Sequence, residues 1–191
     1  MDKVYCYPDT SILINRLDIH DKDKLLTAET SLVAIRLYQL QKNPVKGKFD
    51  YGHLCCIHHY IFQDLYDWAG KTRVVNIAKK SLFCLVQFIQ SYSGSIFPAY
   101  YNDCMRAKDN PKEFIRIFTE HYANLNALHP FREGNGRSQR EYCRELCLEC
   151  GYSFDLRHTN HDEMLSASIE SLDRGSNAGL EAIFRKCITP L

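Results

Sequence analysis

HPFREGNGRSQR, residues 129–140, places a base, an acid, a glycine-flanked turn and two arginines in twelve consecutive positions between two helical stretches. Upstream, Asn110-Pro111-Lys112-Glu113 supplies a cap, a first-turn proline and an acidic third residue, which predicts a helix over 111–128. That helix carries Phe114, Phe118, Leu125 and Leu128 on one stripe. His121 shares the stripe and reads as a packed, hydrogen-bonded core histidine. Downstream, the helical pattern resumes near Gly136 and stops at Gly151. Residues 130–133 between the two helices then form a short arch, with Phe131 as its apolar anchor.

Each part of the stretch has a chemistry. Gly134-Asn135-Gly136 opens a helix, where unpaired N–H groups and the positive dipole end converge and glycines let an anion approach the backbone. Arg137 and Arg140, three residues apart on the first turn, can project to one side and grip phosphate oxygens. Glu133 would repel a polyphosphate unless a divalent cation stood between them. Mg²⁺, which prefers one or two carboxylates plus phosphate oxygens, suits that place; a loop salt bridge is the plainer role. His129, neutral near pH 7, could take a proton from an attacking hydroxyl. The set amounts to nucleotide, metal and base.

Farther from the motif, Asp21 and Asp23 precede a helical stripe over about 22–41, and Asp50 precedes a second run through Trp68 that Gly70 would stop. TRVVNIA and LFC alternate like strands and predict a hairpin over 71–84. The region 86–107 reads as helical but split at Gly94 and Pro98, and two further helices are expected to begin at Asn160 and Ser176. The whole is expected to be one domain, 1–191, with its core over about 50–155.

Composition excludes several classes. A net charge of +1 supplies no field for nucleic acid, and no run approaches the ~20 apolar residues of a membrane span. Nine cysteines without an apolar leader fit reduced thiols in a cytosol, and the mature chain is expected to equal this sequence. Cys143, Cys147 and Cys150 with His158 could suggest zinc, but that spacing on one helix reads better as buried small apolar groups. His58 and His59 point ~100° apart on a helix and cannot easily share an ion, so at least one is packing or surface.

The twelve residues resemble the signature of Fic (filamentation-induced-by-cAMP) domains, His-x-Phe-x-acid-Gly-Asn-Gly-Arg-x-x-Arg, at every specified position. Pro8-Asp9-Thr10 with Leu13 and Asn15, IFQDLYDWAGKTR, and the lysine-containing hairpin before Phe83 are also similar to the surroundings of that motif in small bacterial members.

The resemblance implies an all-α helical bundle with a short β-hairpin flap near the active site. The implied activity moves AMP from ATP-Mg²⁺ to a Tyr, Thr or Ser hydroxyl of a target protein and releases pyrophosphate. His129 would then be the base, Glu133 the metal-side acid, Gly134, Asn135 and Gly136 the cradle, and Arg137 and Arg140 the grip on the outer phosphates. Asn126, one turn before His129, would face the nucleotide.

Lys79, Lys80, Ser81, Leu82 and Phe83 would form the flap over the nucleotide, its edge pairing with an extended target segment. A related kinase branch, Doc-like, carries lysine where Gly136 stands. A non-catalytic nucleotide- or partner-binding module is the other alternative, and the intact His129 and Glu133 argue against it.

Many members bear an inhibitory helix, Ser/Thr-x-x-x-Glu-Gly/Asn, whose glutamate pairs with the second arginine, here Arg140. The nearest miss is Ser166 to Glu170, followed by Ser171. A separate small antitoxin is therefore expected to supply that glutamate.

Overall fold

The computed structural model describes residues 4–78 and 82–191. Seven helices are found among them: α1 Lys22–Lys42, α2 Tyr51–Phe62, α3 Ile89–Ala107, α4 Pro111–Leu128, α5 Asn135–Glu149, α6 His161–Arg174 and α7 Ala178–Cys187. A two-stranded antiparallel sheet pairs β1, Tyr152–Phe154, with β2, Ile188–Pro190. The molecule is an all-α bundle.

Local chemistry sets most helix starts. The side chains of Asp21, Asp50, Asn110 and Asn160 each accept a hydrogen bond from a first-turn N–H, and Asn160 with Glu163 completes a capping box. Helix α7 begins one residue beyond expectation, because Asn177 rather than Ser176 occupies its cap position.

Helix α4 is the centre. It packs against α3, α5, α6 and α7 and buries Phe114, Ile115, Phe118, Tyr122, Leu125 and Leu128. Phe118 meets Phe184 of α7 edge-on at 5.2 Å. Each such ring taken from water contributes about 1.5–3 kcal/mol. His121 lies against Tyr100 at 4.5 Å with its Nε2 3.0 Å from Asp103, and burial holds its pKa below the ordinary value.

Two elements depart from the sequence reading. Helix α2 stops at Phe62, not Trp68: the N–H groups of Leu65 and Tyr66 both return to the Phe62 carbonyl, and Arg36 of α1 takes Asp64 in a bidentate pair at 2.7 Å. Gly70 adopts φ +80 in the turn that follows, where a Cβ would meet the Cys55 carbonyl at 2.9 Å. Helix α3 runs unbroken through Gly94 and Pro98. The two breakers stand four apart, so the N–H that Pro98 lacks would have bonded the Gly94 carbonyl, and the helix carries one defect rather than two.

Among the described residues the flap closes through one antiparallel bridge, Ala78 to Leu82. Side chains do the rest: the Asn76 Oδ1 accepts from the Val86 N–H at 2.9 Å, and Arg73 spans both limbs. Lys79, Lys80 and Ser81, expected above to form part of the flap, lie outside the described residues.

Candidate active site

The helix α4 ends at His129, whose left-handed backbone (φ 42, ψ 60) turns the chain into the arch. Histidine tolerates that region better than bulkier residues do. Its Nδ1 lies 3.2 Å from the Asn126 carbonyl oxygen, which can only accept. In the neutral ring Nδ1 therefore carries the hydrogen and Nε2 keeps the lone pair. Phe83 stacks on the imidazole at 3.7 Å and 13°, which fixes its plane.

The arch is held from inside. Asn135 accepts from the Phe131 N–H at 2.9 Å and donates to the Phe131 carbonyl at 2.7 Å. Its side chain is thus spent on the loop, and only its backbone is left for a ligand. Phe131 is fully buried and stacks on His58 at 3.8 Å.

His58 receives the Gly70 N–H on Nδ1 at 2.8 Å and donates Nε2–H to the Glu133 carbonyl at 3.0 Å. Burial pushes its pKa down to about 3, so the ring is neutral.

Gly134 has φ +79, and a Cβ there would fall 2.2 Å from the Phe62 ring. Gly134→Ala is expected to cost about 2–4 kcal/mol of stability, read as a lowered urea midpoint; an unchanged midpoint would contradict this packing.

Helix α5 makes its first intrahelical bond from the Ser138 N–H to the Gly134 carbonyl, so the N–H groups of Asn135, Gly136 and Arg137 precede the ladder. They form the cradle. Gln139 secures this end by donating to the Leu125 carbonyl at 3.1 Å.

The two arginines do not act alike. Arg140 is exposed, lines the main cavity, and pairs with no carboxylate among the described residues. Arg137 lies outside that lining: it pairs with Glu29 of α1 at 2.6 Å, covers the Phe62 ring at 4.7 Å and stands 3.6 Å from Glu133. Glu29 also accepts the Tyr66 hydroxyl. The pair with Glu29 holds Arg137 towards α1, while both arginines border a second, smaller cavity.

Motif and flap meet at a cavity of about 990 Å³. His129, Glu133, Asn126, Gly136 and Arg140 line one side, Ile77, Ala78 and Phe83 of the flap another, and Met164, Leu165 and Ile169 of α6 the third. Leu82, 58 % exposed at the flap, is not part of the lining.

Glu133 extends its carboxylate into partly open space, with Oε1 accepting from the Gly134 N–H at 2.8 Å. Among the described residues no group of three or more His, Cys, Asp or Glu could hold a metal ion alone. A cation here would need ligand oxygens besides Glu133, which a polyphosphate supplies. Cys104, Cys143, Cys147 and Cys150 are buried free thiols, with burial pushing Cys143 up to about 12 and Cys150 to about 11.

The sequence assigns Arg73 and Glu29 no role of their own, and leaves open which of His58 and His59 is packing; nothing in periodicity marks the partners these residues find far along the chain.

Comparison with known proteins agrees with this geometry. Residues 48–147 match the model of the Fic/DOC family. The chain is 38 % identical to protein adenylyltransferase VbhT of Bartonella schoenbuchensis over 97 % of its own length, spanning 39 % of that longer protein. It is 30 % identical to Fic of Salmonella typhimurium, over 97 % of this chain and 92 % of that one. The N-terminal Fic domain of a VirB-translocated effector of Bartonella quintana, solved with bound ADP, superposes with a TM-score of 0.87 at 26 % identity, covering 97 % of this chain and 94 % of that one. With His129, Glu133, Asn135, Gly136 and Arg140 around one cavity and its match running through more than half of the chain, the chain belongs to the Fic/DOC family.

Proposed function

We propose that this protein is an adenylyltransferase that moves AMP from ATP-Mg²⁺ to a Tyr, Thr or Ser hydroxyl of a target protein. The observation that carries the reading is His129, stacked on the flap residue Phe83 and lining the same cavity as the α5 N-terminus and Arg140. VbhT bears the adenylyltransferase name, and the Bartonella quintana domain holds a nucleotide.

The chain's own groups divide the work. The α5 N–H groups and Arg140 hold and orient phosphate oxygens, Asn126 borders the nucleotide, and His129 takes the hydroxyl proton as the oxygen attacks the α-phosphorus. The P–O bond to pyrophosphate breaks as the new one forms. Mg²⁺ bound by Glu133 through phosphates or water would neutralise charge on the leaving group. Ala78 and Leu82 border the flap edge on which an extended target segment would pair.

Gly136 favours this over the Doc-like kinase: a Cβ there would already stand 3.0 Å from an Arg140 nitrogen, so a lysine would crowd the outer-phosphate grip. The direct test is release. With a lysate of the host cell as acceptor, ATP should yield pyrophosphate and protein-bound AMP in equal amounts; ADP as the product would overturn the reading in favour of the kinase.

Control would act on Arg140. A second, smaller cavity of about 170 Å³ reaches it from the other side, between Leu37 and Gln41 of α1 and Phe154 and Leu156, with Arg137 and Arg144 beside it. Three arginines against the single acid Glu141 in this lining support a glutamate presented there by a small antitoxin. Undiminished AMP transfer after co-purification with the neighbouring gene product would count against that partner. No helix among the described residues is long and apolar enough to cross a membrane, and the buried free thiols support a cytoplasmic setting.

A further inference from the structure

Arg73 is 1 % exposed, among the largest fully buried side chains, yet it pairs with no carboxylate among the described residues. Its hydrogen bonds go to carbonyl oxygens from three segments. Nε–H donates to His129 at 2.9 Å, one Nη to Val75 on the outgoing flap limb at 2.8 Å, and the other to Cys84 on the return limb at 2.5 Å. Its own N–H donates to Pro130 at 2.8 Å, and the Cys84 N–H to Ala127 at 2.9 Å.

A buried cation is costly unless its donors are met, so the fold has reason to keep these carbonyls in place together. Only a planar fork with donors in fixed directions spans all three; a lysine ammonium is one point. The two flap limbs and the base therefore share a single rigid connector.

We propose that Arg73 is a positioning residue that couples the flap to His129, so that seating a target segment on the flap sets the orientation of the base. The route is short. The Arg73 Nε–H holds the His129 carbonyl and with it the left-handed backbone, which in turn sets the ring's reach to the Asn126 carbonyl. Phe83, next to Cys84, stacks on the imidazole and so ties the return limb to the ring as well. The role rests on the AMP-transfer reading, because it concerns the base of that reaction.

The test is Arg73→Lys, which keeps the charge and loses the fork. Transfer of α-label from ATP to host-lysate protein is expected to fall about ten- to a hundredfold, with the ATP Kd within about threefold of wild type. The His129 Nδ1–H resonance should shift or vanish. A fall of less than about tenfold, or a folded variant with an unmoved His129 resonance, overturns the coupling.

Should Arg73→Lys fail to melt cooperatively, Leu82→Ala at the exposed flap decides: the Arg73 Nε–H and His129 Nδ1–H resonances should shift together. Movement of the first without the second overturns the proposal. The resonances need no turnover, so absent transfer by wild type would overturn the activity while leaving the coupling to be judged by them.

Discussion

Replacing His129 with alanine is expected to lower AMP transfer about 10²–10⁴-fold while the ATP Kd changes by less than about threefold. The loss is confined to chemistry because the phosphate grip belongs to other groups, the α5 N–H groups and Arg140. Structure should survive. Alanine inherits the same left-handed backbone, so little new strain appears, and the missing stack on Phe83 costs about 0.5–1.5 kcal/mol. The expected variant melts cooperatively, binds ATP and does not label protein. A variant that binds and labels as wild type does would remove His129 from the reaction.

His58 should give a large pH effect on stability on the acid side. The folded ring titrates at about 3, whereas a free histidine titrates near 6.5. As pH falls, the unfolded chain therefore binds the proton first. The stability contributed by the neutral ring is complete above about pH 6.5 and is lost as pH drops toward 3, at up to roughly 1.4 kcal/mol per unit and at most about 5 kcal/mol in all.

Protonation would place a hydrogen on Nδ1, which now accepts from the Gly70 N–H, and break the link between the α2–flap turn and the arch. His58→Gln keeps a donor and an acceptor without titrating. It is expected to be less stable than wild type at pH 7, with the difference shrinking as pH falls to 5 and 4. Urea midpoints across that range measure it, and parallel profiles for the two proteins would show that His58 does not titrate with unfolding.

Helix existence was legible where local chemistry decides it. Asn110-Pro111-Lys112-Glu113 and Asn160-x-x-Glu163 announce their helices in four residues, and α4 and α6 begin there. Gly134 to Gly136 likewise announces a helix N-terminus. What local pattern could not show was long-range pairing. The run toward Trp68 keeps helical spacing, but Asp64 is claimed by Arg36 from twenty-eight residues away, and the helix ends first.

Among the described residues the strand-like alternation of TRVVNIA contributes a single bridge, because Arg73 and Asn76 take over the cross-limb bonding that a ladder would supply. The pairing of β1 with β2, thirty-six residues apart in register, left no sequence signal in strands only three residues long. In the site, residue types were legible and their division of labour was not: Arg137 faces Glu29, and the Asn135 side chain serves the arch.

ATP labelled separately at the α- and γ-phosphates, incubated with this protein and host-cell lysate, tests the central claim most directly. Protein-bound label from the α position alone, abolished by His129→Ala, is the predicted result; label from the γ position, or none from either, would contradict it.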